Sequence, residues 1–439
     1  MLYYTKAFRL QIGLQILSFY VYTTYMTLSE ELSWRGFVNQ TTYKDVTALD
    51  NKPISFYWGV DPSSDSMQVG NLAAAMMARC FISHGHKAFL LVGGATGMIG
   101  DPDGKAEERE LKSLEEIAKN KAGIAAQYKT VFGGLDFTIV DNFDWFKDMN
   151  YLTFLRDVGK HVPLRQMIAR DFVQSRLGED GAGISYAEFS YSLIQAYDFL
   201  YQHEHYGVDL QLCGADQWGN SVAGVDLIRR KTGHETHVWS SPLVINKSTG
   251  KKFGKTEDGA VWLDEKKTSV YKFYQFWLNM DDEGVEDYLK IYTLLDKKEL
   301  DTVMKEFRSQ PGERLAQKTL AYEATALVHG KERADAVKRV SETLFGQGDY
   351  RKLETQDFEI LKNELPVVKL GPDVTLIEAL VSGGLAGSNG EARRFLDDKA
   401  VYVNGIQITA QKTKFADEDA IHGYAVLRRG KNSQVIVKL

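Results

Sequence analysis

Three polar side chains lie at helical spacing within a largely apolar stretch of the chain. Tyr191, Gln195 and Asp198 are separated by four and then three positions in YAEFSYSLIQAYDFLYQ, which places them on one face of a helix. Their neighbours are apolar, so this polar face is expected to be buried and to need hydrogen-bond partners there. A ligand with an amine, a ring and a hydroxyl would supply them, and so would a polar network of the core itself.

A polar turn and a glycine precede the first long apolar helix. In YWGVDPSSDSMQVGNLAAAMMARCF, Asp61 and Ser63 follow a short apolar run, and Gly70 stands where the helical period begins. Glycine lets a ring or a phosphate approach the backbone, and the free N–H groups of a helix N-terminus favour anions. An ordinary helix capped by Asp65 or Ser66 would have the same sequence, so this segment alone does not decide between the two.

Two further glycine-rich loops carry cations. LVGGATGMIGDPDGKAEER contains Asp101, Lys105 and Arg109. KSTGKKFGKTEDG contains Lys252 and Lys255. Lys105 lacks the hydroxyl that follows the lysine of a P-loop, and the second loop is one residue too short to be one. Lysines on a mobile loop can neutralise charge that develops on a leaving pyrophosphate, although a solvated basic loop has the same composition.

The elements that must position these residues alternate between short β-rich runs and longer amphipathic segments over residues 54–244. This pattern predicts a doubly wound, Rossmann-like α/β domain with a parallel sheet. Its strands are predicted at residues 54–60, 88–93, 137–141 and 209–213. Ligands of such sheets bind at the carboxyl ends of the strands, where Gln211, Asp216 and Gln217 also lie in QLCGADQWGN.

The second half of the chain changes character. Charged sequence with apolar residues at spacings of three and four predicts an α-helical domain, and a small α+β module follows a polar, less regular stretch. The predicted divisions are an N-terminal extension at 1–25, the Rossmann-like domain at 26–245, the lysine-containing loop at 246–265, the helical domain at 266–345, a linker at 346–373 and the terminal module at 374–439.

The first residues contain an uncharged run that resembles a signal sequence or membrane anchor. The run is short for a bilayer, no small-residue cleavage site follows it, and an ordinary start occurs at Met26. An upstream extension of the gene model is therefore favoured over a targeting segment, and no membrane association is expected.

Composition narrows the class of protein. With 439 residues and 44% hydrophobic content, the chain can form two or three cores. A net charge of -6 argues against a surface that attracts nucleic acid everywhere, so any RNA contact must be local. Cys80 and Cys213 are the only cysteines and stand in no metal-binding pattern, which favours a reducing, cytoplasmic compartment and no dedicated metal site.

In their order along one chain, these segments resemble the bacterial tyrosyl-tRNA synthetases of class I, from Met26 to the C-terminus. The matching segments are GVDPSSDS with QVGN, GGATGMIGDP, YLTFLRDVGKH, EFSYSLIQAYDFL, GADQWGN, KFGKT, YKFYQFWLN, VSGGLA and EARRFLDDKAVYVNG. The resemblance implies attack by the tyrosine carboxylate on the α-phosphorus of ATP, followed by transfer of the tyrosyl group to the 3′ end of tRNA(Tyr). It also implies Mg²⁺ carried by ATP, a homodimer and no editing domain.

The resemblance assigns roles by position. Tyr57 and Asp198 match the pair that holds the phenolic hydroxyl of tyrosine. The other positions that match tyrosine-binding residues are Asp101, Tyr191 and Gln195 around the amino group, Gln217 near the carboxylate, and Gln211. The ATP-binding positions are Gly59, Asp61, Ser63, Gly70, Asp216 and Lys255. The catalytic positions, which match phosphate and transition-state groups, are Gln68, Asn71, Lys105, Arg109, Lys252, Lys255 and Thr256.

The terminal module resembles the S4-type RNA-binding fold. Its cations stand on an otherwise acidic protein and are expected to contact RNA phosphates, whereas their charge alone would also suit a solvated face. They are Arg393, Arg394, Lys399, Arg428, Arg429 and Lys431.

Two positions depart from the family pattern. Gln68 replaces the usual histidine, so it can donate an amide N–H to a phosphate but carries no positive charge; activity is expected to survive with a changed rate. Trp58 replaces a small residue and is expected to crowd the ribose side of the site. A noncatalytic RNA-binding relative and an enzyme specific for tryptophan are the alternatives. Exchange of pyrophosphate into ATP, compared across amino acids, distinguishes them.

Overall fold

The computed structural model describes residues 26–102, 111–178, 181, 183–251, 253–256, 259–345, 348–370, 374–409, 411–430 and 433–439. Contacts divide the chain into two units. The first contains the residues up to Ala260 together with Glu286–Tyr292, and the second contains Val261–Val285 and Thr293–Leu439. The N-terminal stretch 1–25 lies outside the described residues, and within them no helix is long and apolar enough to cross a bilayer.

A six-stranded sheet forms the centre of the first unit. Its strands are β1 (Gln40–Thr41), β2 (Ser55–Val60), β3 (Lys87–Val92), β4 (Phe137–Asp141), β5 (Leu210–Gly214) and β6 (His237–Ser241), in the order β1-β6-β5-β2-β3-β4. All neighbours pair in parallel except β1, which is antiparallel to β6. The chain runs outward from β2 to β4 and then returns to the other side of β2, so the predicted doubly wound topology is confirmed. The strand order reverses between β2 and β5, where Tyr57 and Gln211 are register partners.

Strands β1 and β6 were not predicted from the sequence. β6 reads HVWSS, which is short and ends in polar residues, yet Ser240 and Ser241 are buried. Ser240 is tolerated because its hydroxyl accepts the Gln40 N–H at 3.1 Å and donates to the Gln40 carbonyl at 3.1 Å. The polar residues at the end of β6 made the strand difficult to recognise in the sequence. In the structure, the Ser240 hydroxyl forms its hydrogen bonds with β1, the partner strand.

Helices cover the sheet of the first unit. They are α1 (Leu28–Arg35), α2 (Val69–Ser83), α3 (Thr96–Ile99), α4 (Leu114–Val131), α5 (Phe143–Phe146), α6 (Tyr151–Asp157), α7 (Leu164–Ile168), α8 (Asp171–Leu177), α9 (Tyr186–Tyr206) and α10 (Trp218–Thr232). The helix predicted to carry the polar stripe is α9. It begins where the Ser185 side chain accepts the Glu188 N–H and ends at Gly207, whose φ of 67° is left-handed.

Helix α4 supports the polar turn that follows β2. Asn120 donates from Nδ2 to the Pro62 carbonyl at 2.9 Å. A Cβ atom on Gly123 would lie 2.0 Å from the Asp65 carbonyl oxygen, so only glycine permits this approach. The backbone of the turn is thus held directly by the helix beneath it.

The second unit contains helices and a smaller sheet. Its helices are α11 (Val270–Leu278), α13 (Lys297–Ser309), α14 (Leu315–His329), α15 (Lys331–Leu344), α16 (Thr355–Glu364), α17 (Leu376–Ser382) and α18 (Asn389–Asp397). The strands β9 (Val367–Lys369), β10 (Val401–Val403), β11 (Ile406–Gln407), β12 (Tyr424–Arg429) and β13 (Ser433–Lys438) form a sheet in the order β11-β10-β12-β13-β9. The intervening helix α12 (Val285–Tyr292) belongs to the first unit from Glu286 onward.

The segment 346–373 is not the irregular linker expected from its sequence. It contains α16 and β9, and β9 pairs in parallel with β13. Leu353, Phe358 and Leu361 are buried in one cluster with Val426 and Ile436 of the terminal sheet. The linker interpretation was wrong because charged residues dominate this stretch, while its few apolar residues find their partners far away along the chain. The domain boundaries themselves stay predictions.

Candidate functional site

Tyr57 and Asp198 share one buried environment at the switch point of the sheet. Tyr57 lies on β2 and is 2% exposed, and Asp198 lies on α9 and is 1% exposed. The Tyr57 ring packs 5.4 Å from the ring of Phe199, the residue next to Asp198. Burial raises the pKa of Tyr57 well above its usual value, and the charge of Asp198 raises it further. The two groups are therefore close enough to interact, and their shared role in holding a phenol stays a prediction.

Asp198 receives hydrogen bonds from two side chains. Trp145 Nε1–H donates to Oδ1 at 2.8 Å, and Asn142 Nδ2–H donates to Oδ2 at 3.1 Å. Burial nevertheless raises the pKa of Asp198 to about 8, against the lowering effect of these donors; the charges of Asp61 and Asp141 raise it further. The carboxyl group is thus fixed in orientation and holds its proton near neutral pH.

The same network continues to Asp61 and Tyr191. Asn142 also donates to the Thr96 hydroxyl at 3.0 Å, and that hydroxyl donates to Asp61 Oδ1 at 2.6 Å. The Tyr191 hydroxyl donates to Asp61 Oδ2 at 2.6 Å. The residues predicted near the tyrosine side chain, its amino group and the nucleotide are therefore joined by one continuous set of hydrogen bonds.

Some buried polar atoms around this network have no hydrogen-bond partner among the described residues. They are the hydroxyl of Tyr57 and the Oε1 atoms of Gln195 and Gln211. A buried polar atom without a partner is costly, and such atoms are expected where a ligand supplies the missing partner. Their position at the β2–β5 switch point favours a binding site over a structural core network.

Asp101 and Gln217 are in direct contact. Gln217 donates from Nε2 to Asp101 Oδ2, and its Oε1 accepts from Asn220 Nδ2 at 3.0 Å. They were expected at the amino group and the carboxylate of one ligand, which their contact allows. Asp216, the neighbour of Gln217, is exposed just after β5.

The N-terminus of α2 lies close to the loop that contains KFGKT. Gly70 is exposed in the first turn, and the Gln68 N–H donates to Asn71 Oδ1 at 3.0 Å. A Cβ atom on Gly254 would lie 3.4 Å from the Gly70 nitrogen. The structure therefore brings together two segments that are far apart in sequence. Gly59 and Ser63 are exposed at the end of β2 and in the following turn.

Several predicted catalytic groups lie outside the described part of the chain. Lys105, Arg109 and Lys252 are among them. Lys255 and Thr256 form the short strand β7 (Lys255–Thr256), which pairs with β8 (Gly259–Ala260), but their side chains are not described. The roles assigned to these five residues stay predictions.

Thr96, Asn142 and Trp145 were not singled out from the sequence. Asn142 directly follows β4, so its place at the carboxyl end of a strand was an available signal. Nothing in the sequence indicates that the Trp145 indole reaches Asp198. Trp58 also differs from expectation: its ring packs 5.5 Å from the Tyr128 ring beneath α4, on the face of β2 opposite to Tyr57.

One group of potential metal ligands lies together in the described part of the chain. His203, Asp209 and His234 offer ligand atoms within 4.8 Å of one another. They lie before β5, whereas the candidate site lies at the other end of that strand. His203 Nδ1 also hydrogen bonds with the Val208 carbonyl at 3.1 Å. The group is therefore separate from the candidate site.

The two arginines of β12 in the terminal sheet each lie over an aromatic ring. The Arg428 guanidinium lies 3.9 Å from the centre of the Tyr402 ring, and Arg429 lies 5.0 Å from the Phe395 ring. Arg393, Arg394 and Lys399 are exposed on α18 and just beyond it. Lys431 lies outside the described residues. Arg429 therefore lies on the face of the sheet that meets α18, which carries Arg393 and Arg394, whereas Arg428 lies with Tyr402 on the opposite face.

Comparison with known proteins gives consistent relatives. The sequence profile of the class I tRNA synthetases for tryptophan and tyrosine matches residues 49–346, and that of the C-terminal domain of tyrosine–tRNA ligases matches residues 357–437. A tyrosine–tRNA ligase of Bacillus caldotenax is 43% identical over 424 residues, which cover 94% of this chain and 100% of the relative. One from Neisseria meningitidis is 43% identical over 432 residues, covering 94% and 99%.

Solved structures show the same likeness. The C-terminally truncated mitochondrial tyrosyl-tRNA synthetase of Aspergillus nidulans is 31% identical, with a TM-score of 0.66 over 73% of this chain and 94% of its own. The tyrosyl-tRNA synthetase of Archaeoglobus fulgidus, solved with L-tyrosine, has a TM-score of 0.52 over 71% of this chain and 99% of its own. At 15% identity, that second likeness concerns the fold alone.

The unpaired hydroxyl of Tyr57 predicts an unusual effect on stability. Tyr57→Phe removes a buried group without a partner, so the free energy of unfolding in urea is expected to stay unchanged or to rise by up to about 1 kcal/mol. Tyr128→Phe is the matched control, because its buried hydroxyl donates to the Leu91 carbonyl at 2.9 Å. This control is expected to lose about 1 kcal/mol. Equal losses in the two variants would contradict the assignment.

The raised pKa of Asp198 predicts a pH dependence of stability. An unfolded aspartate ionises near about pH 4, whereas the folded group holds its proton to a pKa of about 8. Its contribution to stability is therefore full below about pH 4 and is lost as the pH rises to about 8. The difference in unfolding free energy between wild type and Asp198→Asn, which cannot titrate, should fall by up to about 1.4 kcal/mol per pH unit in this range. Urea titrations that give a constant difference would exclude it.

Proposed function

This chain belongs to the bacterial-type tyrosine–tRNA ligases of class I, and we propose that the site at its β2–β5 switch point activates tyrosine with ATP before the tyrosyl group is transferred to tRNA. The observation that carries the proposal is the buried Tyr57 hydroxyl, which has no partner among the described residues and lies in the environment of Asp198. A phenolic hydroxyl of the substrate would supply that partner.

Tyrosine is selected because any ligand without a phenolic hydroxyl leaves the buried polar groups of Tyr57 and Asp198 without a hydrogen-bond partner, which costs binding free energy. Asn142 and Trp145 already donate to Asp198, so its remaining hydrogen-bonding capacity faces the phenol. Phenylalanine would fill the same space and leave Tyr57 without a partner. The tyrosine enzymes are themselves the established example of this rule, and discrimination of this kind needs no editing site.

The amino and carboxylate ends of tyrosine are held by the polar groups beyond the ring. Asp101 offers a carboxylate for a cationic amine, and Tyr191 and Gln195 stand on the same helix face. Gln195 retains a buried Oε1 atom without a partner, which suits an N–H donor. Gln217 is fixed by Asp101 and Asn220 and positions the reacting carboxylate.

The nucleotide lies against the N-terminus of α2. Gly70 is exposed there, so the α-phosphate can approach free N–H groups at the positive end of a helix dipole. A carboxylate oxygen of tyrosine forms a bond to the α-phosphorus, and pyrophosphate leaves with the bonding electrons. The 3′-terminal hydroxyl of tRNA then attacks the carbonyl carbon, and AMP leaves. Positioning and charge stabilisation supply the catalysis, without a nucleophilic side chain.

Gln68, Asn71 and the loop lysines complete the phosphate site. Asn71 Oδ1 accepts a backbone N–H, which leaves its amide N–H groups to donate to phosphate oxygens. By the family pattern, Lys105, Arg109, Lys252 and Lys255 neutralise phosphate charge, and Thr256 offers a neutral hydroxyl donor. Gln68 contributes a neutral donor in place of a charged one.

Magnesium enters with ATP. Asp61 is a poor candidate for a protein cage, because its two oxygens already accept hydrogen bonds from Thr96 and Tyr191. Mg²⁺ that is bound through phosphate oxygens and water does not need a carboxylate ligand from the protein. When bound, the ion neutralises phosphate charge.

The basic cluster of the terminal sheet binds RNA phosphates. Arg428 and Arg429 are held over the Tyr402 and Phe395 rings, which fixes their guanidinium groups in orientation. Arg393 and Arg394 are exposed on α18, the helix that carries Phe395. On a protein of net charge -6, this local concentration of cations is where electrostatic attraction to tRNA is strongest.

The first unit forms a homodimer through an exposed apolar surface. Leu152, Leu164 and Leu177 are 72%, 59% and 54% exposed. Tyr151 and Tyr186 are also exposed, and their hydroxyls lie 3.2 Å apart. Exposed large apolar side chains of this kind favour an interaction surface, and a two-fold contact between identical copies is the commonest way to cover one.

We propose a cytoplasmic location. The buried Cys80 and Cys213 are free thiols, as expected of a protein in a reducing compartment. Fractionation of cells followed by detection of the chain tests this directly.

Exchange of labelled pyrophosphate into ATP tests the activity. Wild type is expected to catalyse exchange with tyrosine and not with tryptophan, and EDTA should abolish it. Tyr57→Phe should raise the KM for tyrosine about fivefold to tenfold and lower discrimination against phenylalanine by a similar factor, because one hydrogen bond is lost. Gln68→His should change the rate. A wild type without exchange, whether or not histidine restores it, refutes this reading.

Charge removal on α18 tests the RNA surface. Arg393→Gln with Arg394→Gln should weaken tRNA binding and reduce the slope of log affinity against log salt by about 1.4 to 1.8. The matched control is Lys44→Gln with Lys52→Gln, which removes two exposed charges elsewhere. Filter binding over a salt series measures both. Equal slopes in the two double variants would rule out this surface.

Sedimentation equilibrium tests the dimer surface. Leu152→Asp with Tyr186→Asp places charges in the proposed contact, so the double variant should sediment as a monomer. Leu294→Asp, at a side chain 50% exposed in the second unit, is the control and should leave the mass unchanged. A dimeric double variant would place the contact elsewhere.

A further inference from the structure

Helix α12 packs against the loop that contains KFGKT and hydrogen bonds with it; these contacts are called the grip below. Although α12 lies within the sequence predicted as the helical domain, residues Glu286–Tyr292 belong to the first unit. Tyr288 and Leu289 on this helix are buried. Arg35 of α1 donates to the Lys290 carbonyl at 2.7 Å, which holds the helix on the first unit from its other side. A short helix is thus fixed beside a loop with a proposed catalytic role.

The polar part of the grip is the Tyr288 hydroxyl. It accepts the Lys247 N–H at 3.3 Å and donates to the Ile245 carbonyl at 3.3 Å. Lys247 also forms an ion pair with Asp287. The backbone just before the loop is therefore bound to two adjacent residues of α12.

The apolar part is the side chain of Phe253. It is 5% exposed and lies between two aromatic rings, 4.5 Å from the ring centre of Tyr288 and 5.6 Å from that of Tyr292. The Phe253 N–H also donates to the Val244 carbonyl at 3.0 Å, which closes the loop on itself. Tyr288 consequently contacts both ends of this loop: its hydroxyl binds the backbone at Ile245 and Lys247, and its ring packs against Phe253.

The residue after Phe253 touches the nucleotide side of the site. Gly254 has a left-handed φ of 84°, and a Cβ atom there would lie 3.4 Å from the Gly70 nitrogen and 3.4 Å from Val69 Cβ. The loop backbone at Gly254 therefore lies so close to the first turn of α2 that one added carbon atom would reach it. A displacement of Phe253 would move this contact directly, since the two residues are adjacent.

We propose that Tyr288 is a positioning residue for tyrosine activation. It fixes the distance between the KFGKT segment and the N-terminus of α2, and it does not contact the substrates. The proposal rests on the proposed function. The loop acts on the phosphates, whereas the tyrosine pocket lies at the β2–β5 switch point. Loss of the grip should therefore lower kcat for pyrophosphate exchange and leave the KM for tyrosine unchanged.

Tyr288→Phe tests the polar grip, and Tyr128→Phe is the matched control. Both remove one buried hydroxyl, but that of Tyr128 donates to the Leu91 carbonyl in the core. Tyr288→Phe should lower kcat about fivefold, with an unchanged KM for tyrosine. In the absence of substrates, trypsin should also cleave the Tyr288→Phe variant at the loop lysines several times faster than it cleaves wild type. Mass spectrometry of the fragments measures the cleavage rate. The control should show neither effect.

Asp287→Asn is the second variant, because it removes only an exposed ion pair and leaves the buried ring in place. Faster cleavage in Asp287→Asn would support the grip even if Tyr288→Phe did not fold. If Tyr288→Phe matches Tyr128→Phe in kcat and in cleavage, the proposal is overturned. A wild type without exchange would refute the proposed function instead, and the cleavage rates alone would then decide whether Tyr288 holds the loop.

Discussion

A carboxyl group buried among apolar side chains is the constraint around which the first unit is arranged. Asp198 stands on a helix whose other inward residues are mainly apolar, so its polarity must be met inside the protein. Asn142 and Trp145 meet part of it, and Thr96 connects the same network to Asp61 and Tyr191. The network fixes every group in orientation before a ligand arrives. What remains unsatisfied among the described residues is the Tyr57 hydroxyl and the Oε1 atoms of Gln195 and Gln211.

The segments around this network are held by contacts with neighbouring elements. The turn after β2 is held by α4 at Gly123, and the loop with KFGKT is held against the first turn of α2. Catalysis through positioning requires such fixed distances, because no covalent bond to the protein guides the reaction. The residues that hold these segments come from helices that carry no substrate-binding role.

The sequence predicted the parts that depend on local spacing. The period of α9 placed Tyr191, Gln195 and Asp198 on one face, and the alternation of strands and helices predicted the doubly wound sheet. By contrast, β6 was missed because its serines are satisfied only by β1, and the segment 346–373 was read as a linker because its apolar partners lie on β12 and β13.

By itself, then, the chain determined which residues share a helix face or follow a strand, since these relations depend on the fixed geometry of helix and strand. It also carried enough family pattern to indicate the substrate. Only the tertiary structure decided that Trp145 reaches Asp198, that Tyr57 pairs in register with Gln211, and that Tyr288 meets Phe253. These contacts join residues separated by long stretches of chain, and no local spacing specifies them.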